Sequence, residues 1–158
     1  MSNDLFENPY TDQTRREFWE ICVKRDLEAF LAQDWSMTAC DFCTDDFFGL
    51  DAQNQTSPAQ WRPKYATLEA YRQDFDLQAA EFATKEFADD PREAMYRALT
   101  ITDPQIEGER ALVTKIFKGQ LKEKNGDITL LDWQSVFQFK RKGGRWLITG
   151  FVGYMPND

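Results

Sequence analysis

The architecture of this chain is set mainly by residues 110–155, which read RALVTKIFKGQLKEKNGDITLLDWQSVFQFKRKGGRWLITGFVGYM. Apolar and polar side chains alternate through much of this segment, which is the pattern of half-buried β-strands. Asn125-Gly126 and Gly143-Gly144 interrupt the alternation, and both pairs suit tight hairpin turns because such turns need residues with positive φ. The segment therefore predicts an antiparallel meander. With one strand before it, the predicted strands cover residues 93–102, 110–122, 127–141 and 145–155.

Two-residue turns fix which residues face each other, and the resulting register divides the predicted sheet into two faces. The predicted inner face carries Leu112, Thr114, Ile116, Lys118, Trp133, Ser135, Phe137, Phe139, Trp146, Ile148, Gly150, Val152 and Tyr154. The predicted outer face carries Lys115, Phe117, Asp132, Gln134, Val136, Gln138, Thr149 and Phe151. Because a half-apolar outer face commonly covers a second subunit, we expect a homodimer through it.

Two long helices are predicted before the meander. Thr14 and Glu17 form a capping box in front of an apolar-periodic stretch, so the first helix is expected to begin there. Thr67 caps a second helix, which Asp89-Asp90-Pro91 ends. Its apolar stripe consists of Leu68, Tyr71, Phe75, Ala79 and Phe82. The order of elements predicts a single α+β domain over residues 1–158, with N-terminal helices on the concave face of a curved, mainly antiparallel sheet.

The segment between the two helices is less regular. A shorter helical piece is predicted from Trp35 towards Phe42, followed by a strand at residues 47–50. Residues 52–66 are predicted to form a loop, because Ser57-Pro58 and Arg62-Pro63 break regular structure. The loop carries Trp61 and Tyr65, which either cover a pocket or pack on the domain or a partner subunit.

The composition limits the chemistry. The 158 residues include no histidine, which excludes histidine-dependent nucleophile pairs and proton shuttles. Cys40 and Cys43 spell a C-x-x-C motif, but Cys22 alone does not complete a zinc set, and we expect neither metal nor cofactor. A net charge of −8 argues against nucleic acid. Without an apolar run of membrane-spanning length or a basic leader, we expect a cytoplasmic protein with no membrane partner.

The chain resembles the cone-shaped nuclear transport factor 2-like superfamily, which includes ketosteroid isomerase and the SnoaL-like polyketide cyclases. The resemblance covers Thr14 to Pro156. It rests on Gln33-Asp34-Trp35 after the first helix, on Asp45-Asp46 before the first strand, and on the closing residues 144–148, Gly-Arg-Trp-Leu-Ile. It implies a cofactor-independent domain with a ligand pocket inside the cone.

The resemblance to ketosteroid isomerase also implies site residues. Asp45-Asp46 with Asp51 looks like that family's Asp-Asp-x-x-x-x-Asp, which places Asp51 at the general base, and Tyr71 takes the position of a supporting tyrosine. In that family a tyrosine and a protonated acid donate hydrogen bonds to the oxyanion. Their positions here fall near Asp26 and on Ser135, which do not replace them, so the resemblance does not extend to steroid isomerisation itself. Independently of the family, the rim of an aromatic pocket would disfavour the charged form of Asp51, which would suit a general base. The alternative is a solvated loop aspartate or a cap directly after a strand. The expected pocket residues are Trp61, Trp133, Ser135, Phe137, Trp146 and Tyr154.

Three functions are compatible with this fold. The first is a lyase, isomerase or hydratase that acts on a small apolar or aromatic ligand through Asp51. The second is a non-catalytic module that binds such a ligand, and the third is a structural subunit of a larger complex. An empty cone with an acid inside favours the first, whereas a cone filled by Trp133, Phe137 and Trp146 favours the third.

Overall fold

The computed structural model describes residues 4–157, which form α-helices and strands in the order expected of an α+β domain. The helices are α1 (Gln13–Trp19), α2 (Asp26–Ala32), α3 (Leu68–Ala83) and α4 (Pro91–Ala98). The strands are β1 (Phe48–Asp51), β2 (Arg62–Tyr65), β3 (Leu99–Ile101), β4 (Gln105–Glu107), β5 (Arg110–Lys122), β6 (Ile128–Lys142) and β7 (Arg145–Met155). Short 3₁₀ turns cover Trp35–Met37, Ala39–Asp41 and Pro58–Gln60.

The first long helix is continuous from α1 to α2, joined by a π-helical segment at Glu20–Arg25. Its N-cap is Asp12, whose carboxylate accepts a hydrogen bond from the backbone N–H of Arg15 at 3.1 Å, so the helix begins before the predicted Thr14. The wider π-helical turns are often found at functional sites. In this helix the π-helical segment ends immediately before Asp26.

The sheet has the strand order β2-β1-β7-β6-β5-β3, and β4 pairs with β5 at one end. The contact between β1 and β7 is parallel, and the other pairings are antiparallel. The helices cover one face, and the buried core lies between them and the sheet. The predicted α+β class, with helices on the concave face of a curved, mainly antiparallel sheet, is confirmed. Across residues 4–157, the helices are too short or too polar to cross a bilayer.

The predicted register of β5 is wrong by one residue. Asn125-Gly126 belongs to a three-residue turn rather than a two-residue turn, because the Glu123 N–H donates to the Asp127 carbonyl at 2.8 Å and Gly126 has a φ of 96°. A one-residue slip turns every side chain of the strand to the opposite face. The inner face of β5 therefore carries Ala111, Val113, Lys115, Phe117 and Leu121, whereas Leu112, Thr114, Ile116 and Lys118 lie outside.

The faces predicted for β7 are right as far as Ile148 and again at Tyr154. Gly143-Gly144 forms the expected two-residue turn. Further along, Ile148 pairs with Phe139 and Gly150 pairs with Gln138, so Thr149 is an extra residue in β7 and forms a bulge. This bulge turns Phe151 inward, contrary to the prediction, and it moves Gly150 and Val152 off the inner face. A second bulge places Gly153 and Tyr154 opposite Ser135. It turns the Tyr154 side chain back towards the cavity described below, with a φ of 61° at that residue.

Two further segments differ from the prediction. Residues 93–98 belong to α4 rather than to a strand, because the Asp90 carboxylate caps the backbone N–H groups of Arg92 and Glu93 and Pro91 takes the first helical position. The predicted loop at 52–66 contains β2, which pairs with β1 and so adds the edge strand of the sheet. The corrected outer face is still half apolar, and the homodimer through it stays a prediction.

Candidate functional site

A cavity of about 400 Å³ lies between the helices and the concave face of the sheet. Its volume is within the range of roughly 300–1,000 Å³ that small-molecule sites have. Helices α2 and α3 form one wall, and strands β5, β6 and β7 form the other. The lining residues are Asp26, Leu27, Phe30, Tyr71, Phe75, Gln78, Glu81, Phe82, Lys85, Met95, Lys115, Phe117, Thr129, Leu130, Leu131, Trp133, Ser135, Phe137, Phe151 and Tyr154.

Aromatic rings form most of the sheet side of the cavity. Phe137 and Phe151 are stacked with their ring centroids 5.1 Å apart, and Trp133 lies 4.7 Å from Phe117 and 5.8 Å from Tyr154. Rings in contact with one another hold each other in place. This part of the wall is therefore apolar and closely packed, which suits a flat apolar ligand.

Asp26 and Lys115 form an ion pair inside this apolar wall. The Lys115 Nζ donates to Asp26 Oδ2 at 2.8 Å, and the two side chains are 8% and 21% exposed, respectively. The ammonium also lies 4.7 Å from the centroid of the Phe137 ring, within the range of a cation–π contact. The pair exists because the one-residue slip of β5 turns Lys115 inward, opposite the start of α2.

Hydrogen-bonding capacity remains at the pair. Within residues 4–157, Asp26 Oδ1 has no hydrogen-bond partner. The Lys115 ammonium has three N–H groups and, in the same part of the chain, donates only to Asp26. The Tyr71 hydroxyl also lines the cavity without a partner in the described part of the chain, and burial raises its pKa well above the ordinary value. Tyr71 is therefore a neutral hydroxyl. Around the pair, the cavity therefore offers one carboxylate oxygen, an ammonium and a phenol to a ligand.

A network of hydrogen-bonded polar side chains lies beside the cavity at α3. The Gln78 side-chain amide donates to Asp74 Oδ2 at 2.7 Å and to the Tyr154 hydroxyl oxygen at 3.5 Å. The Tyr65 hydroxyl donates to the same Asp74 oxygen. Burial raises the pKa of Tyr65, and the hydrogen bond to Asp74 raises it further. This network holds Tyr154 in position at the cavity wall.

Asp51 is not among the lining residues. Its carboxylate, on the last residue of β1, accepts a hydrogen bond from the Gln53 N–H at 2.8 Å and lies 3.7 Å from Lys64 Nζ. This is the geometry of a local turn supported by a partly exposed ion pair. The general-base role of Asp51 stays a prediction, and the structure gives it no contact with the cavity.

Trp61 and Trp146 also lie away from the cavity. The Trp61 indole N–H donates to the Gln55 carbonyl at 3.0 Å, which holds the ring against its own loop rather than over the cavity. Trp146 is buried against Phe18, with ring centroids 5.4 Å apart, and Arg141 covers its ring. The structure therefore brings together five of the eight predicted site residues, Tyr71, Trp133, Ser135, Phe137 and Tyr154.

The site residues predicted from the sequence include neither Asp26 nor Lys115, although the resemblance places an oxyanion donor near Asp26. The pattern Val113-x-Lys115-x-Phe117 contains a signal for one of them, because a lysine that alternates with apolar residues shares their buried face. Asp26 precedes Leu27 on the apolar stripe of the first helix, and an acid beside such a stripe is a comparable signal. Within residues 4–157, no three His, Cys, Asp or Glu side chains come together as a metal site.

Helices packed on a curved sheet of this topology, with a cavity between them, constitute the nuclear transport factor 2-like fold. Solved structures of that fold match almost the whole chain. A protein of unknown function from Pseudomonas putida KT2440 is 14% identical, with a TM-score of 0.56, over 94% of this chain and 92% of its own. A superfamily protein from Salmonella enterica serovar Typhimurium LT2 is 11% identical, with a TM-score of 0.53, over 86% and 87%.

A third similar structure carries a different description. A protein from Xanthomonas campestris, provisionally described as a calcium/calmodulin-dependent protein kinase II association domain, is 18% identical, with a TM-score of 0.52, over 97% of this chain and 98% of its own. No protein-family model and no curated protein matches the sequence. At these identities the similarities establish the fold, and function has to be argued from the cavity.

Proposed function

We propose that this chain is a small-molecule-binding protein that holds a largely apolar ligand in the cavity between α3 and the sheet. The observation that carries the proposal is the cavity itself, about 400 Å³ in volume and lined by aromatic rings around the Asp26–Lys115 pair. Few precisely placed polar groups in an apolar cavity are the usual composition of a ligand site. A structural subunit is favoured less, since Trp133 and Phe137 border this space without filling it.

Catalysis on the bound ligand is a second candidate function, favoured by the position of Asp26. Proton abstraction needs a base that reaches the ligand, and Asp26 is a carboxylate on the cavity wall beside a cation. We propose that any lyase, isomerase or hydratase chemistry of the SnoaL-like type uses Asp26 rather than Asp51. Lys115 would then stabilise negative charge that develops on a neighbouring oxygen.

A thermal-shift screen of small aromatic compounds tests the binding function. A ligand at 100 times its Kd stabilises a protein by about 2.7 kcal/mol, which for a chain of this size raises Tm by roughly 5–11 °C. The screen is repeated on Ser135→Phe, which fills the cavity from β6. The matched control is Val136→Phe, which adds the same ring to the outer face of the same strand.

The proposal expects the compounds that stabilise the wild type to stabilise Val136→Phe equally and to have no effect on Ser135→Phe. Equal stabilisation of both variants would place the ligand elsewhere. A screen without a single stabilising compound would remove the support for a ligand-binding role.

A further inference from the structure

We infer that the cavity selects an uncharged ligand whose polar end carries a hydrogen-bond donor beside an acceptor, as an amide or lactam does. The inference rests on the ligand-binding function proposed above and adds the chemical class of the ligand. It is carried by the geometry of the Asp26–Lys115 pair, by the charges that line the cavity, and by the position of the aromatic rings.

The pair presents an acceptor and a donor side by side. Asp26 Oδ2 and Lys115 Nζ are 2.8 Å apart and both residues line the cavity, so the second Asp26 oxygen and the other ammonium hydrogens are close to each other. An amide group has its N–H and C=O at a similar spacing. Its N–H can donate to the second Asp26 oxygen while its carbonyl oxygen accepts from a remaining N–H of Lys115.

The charges around the cavity exclude a charged ligand of either sign. The charged residues that line it are Asp26, Glu81, Lys85 and Lys115, and their charges sum to zero. Lys85 is engaged outside the pair, with its Nζ 3.2 Å from Thr129 Oγ1 and 3.9 Å from Glu123. A carboxylate ligand on Lys115 would compete with Asp26 for one ammonium, and a cationic ligand would compete with Lys115 for one carboxylate. In both cases the site would hold two like charges beside one opposite charge, and burying this excess charge is costly.

The aromatic rings fix the direction of the ligand. Phe137 lies directly against the Lys115 ammonium, and its stacked partner Phe151 extends the apolar surface towards Tyr71. A ligand with its polar end at the pair therefore places an adjoining ring system against these residues. The expected ligand is a flat apolar body with one neutral amide-like end.

The test uses three probes of the same shape, 2-naphthamide, 2-naphthoate and 2-naphthylmethylammonium, titrated calorimetrically into the wild type and into Asp26→Leu/Lys115→Met. The double variant removes both charges together, so that no unpaired charge remains to destabilise it. A hydrogen bond to a charged group is strong enough that losing it lowers the affinity for a ligand about tenfold or more. We expect the wild type to bind the amide at least about tenfold more tightly than either ion, and we expect the double variant to bind the amide at least about tenfold more weakly than the wild type does.

Each of the other outcomes counts against the inference. If the naphthoate or the ammonium probe binds the wild type as tightly as the amide, the inference is wrong and the binding function stands. If the double variant binds the amide as tightly as the wild type does, the amide makes no contact of value with Asp26 and Lys115, and the inference is also wrong. If no probe binds the wild type at millimolar concentration, the inference and the proposed binding function lose their support together.

Discussion

Replacing only one member of the Asp26–Lys115 pair should destabilise the protein far more than replacing both. At the 2.8 Å separation of the charged atoms, and with an effective dielectric constant of about 20, the direct attraction is about 6 kcal/mol. Most of this attraction offsets the cost of removing both charges from water. The net value of the pair is therefore small, whereas the cost of leaving either charge alone is large.

The exposed fractions of the two side chains rank the single variants. In Asp26→Leu the lone ammonium of Lys115, with 8% of its side chain exposed, should cost about 3–5 kcal/mol. In Lys115→Met the lone carboxylate of Asp26 has 21% of its side chain exposed, and the cost should be about 2–3 kcal/mol. The double variant Asp26→Leu/Lys115→Met should be within about 1 kcal/mol of the wild type, or more stable.

Urea denaturation followed by tryptophan fluorescence measures these free energies, and a double-mutant cycle extracts the coupling. The matched control is the cycle on Glu93 and Arg97 in α4, whose charged atoms are also 2.8 Å apart but whose side chains are 47% and 66% exposed. We expect a coupling of about 3 kcal/mol or more for the buried pair and below about 1 kcal/mol for the control. Single variants whose effects add to that of the double variant within about 0.5 kcal/mol would refute a buried pair.

Two further predictions concern residues outside the pair. Asp51→Asn keeps the oxygen that accepts from Gln53 and loses only a partly exposed ion pair with Lys64, so urea denaturation should show a loss below about 1 kcal/mol. Ligand affinity should change less than about twofold, and any turnover should survive Asp51→Asn but not Asp26→Asn; the opposite result would restore Asp51 as the base. Gly150→Ala should cost about 3 kcal/mol, because the new Cβ would lie 2.1 Å from the Phe48 carbonyl oxygen across the parallel β1–β7 contact. A thermal melt should show Tm lower by roughly 6–12 °C, and an unchanged Tm would contradict that strand pairing.

The sequence predicts the fold more reliably than the site, and the reason is physical. Strands β5 to β7 are long and alternate clearly, and the Gly143-Gly144 turn leaves little freedom, so the meander follows from local chemistry. The face of each strand depends on single residues. One extra residue in the turn at Asn125-Gly126 reverses β5, and the bulge at Thr149 reverses part of β7. Neither feature changes the alternation that predicts the strands.

These single-residue features decide which side chains reach the cavity. The slip of β5 turns Lys115 inward beside Asp26, and the bulge at Thr149 places Phe151 against Phe137. Asp51 shows the converse. Its spacing after Asp45-Asp46 resembles a catalytic motif, but local turn geometry and Lys64 hold it away from the cavity. The spacing of a motif depends only on residues that are close together in the chain. The lining of the cavity depends on the register between strands that are far apart in the sequence.

A crystal structure of the complex with 2-naphthamide would show directly whether the cavity binds a ligand. The naphthyl ring should lie against Phe137 and Phe151 in the cavity. The amide oxygen should be within about 3 Å of Lys115 Nζ, and the amide nitrogen should be within about 3 Å of the Asp26 carboxylate. A ligand bound outside the cavity, for example beside Asp51 and Lys64, would overturn the proposed binding site.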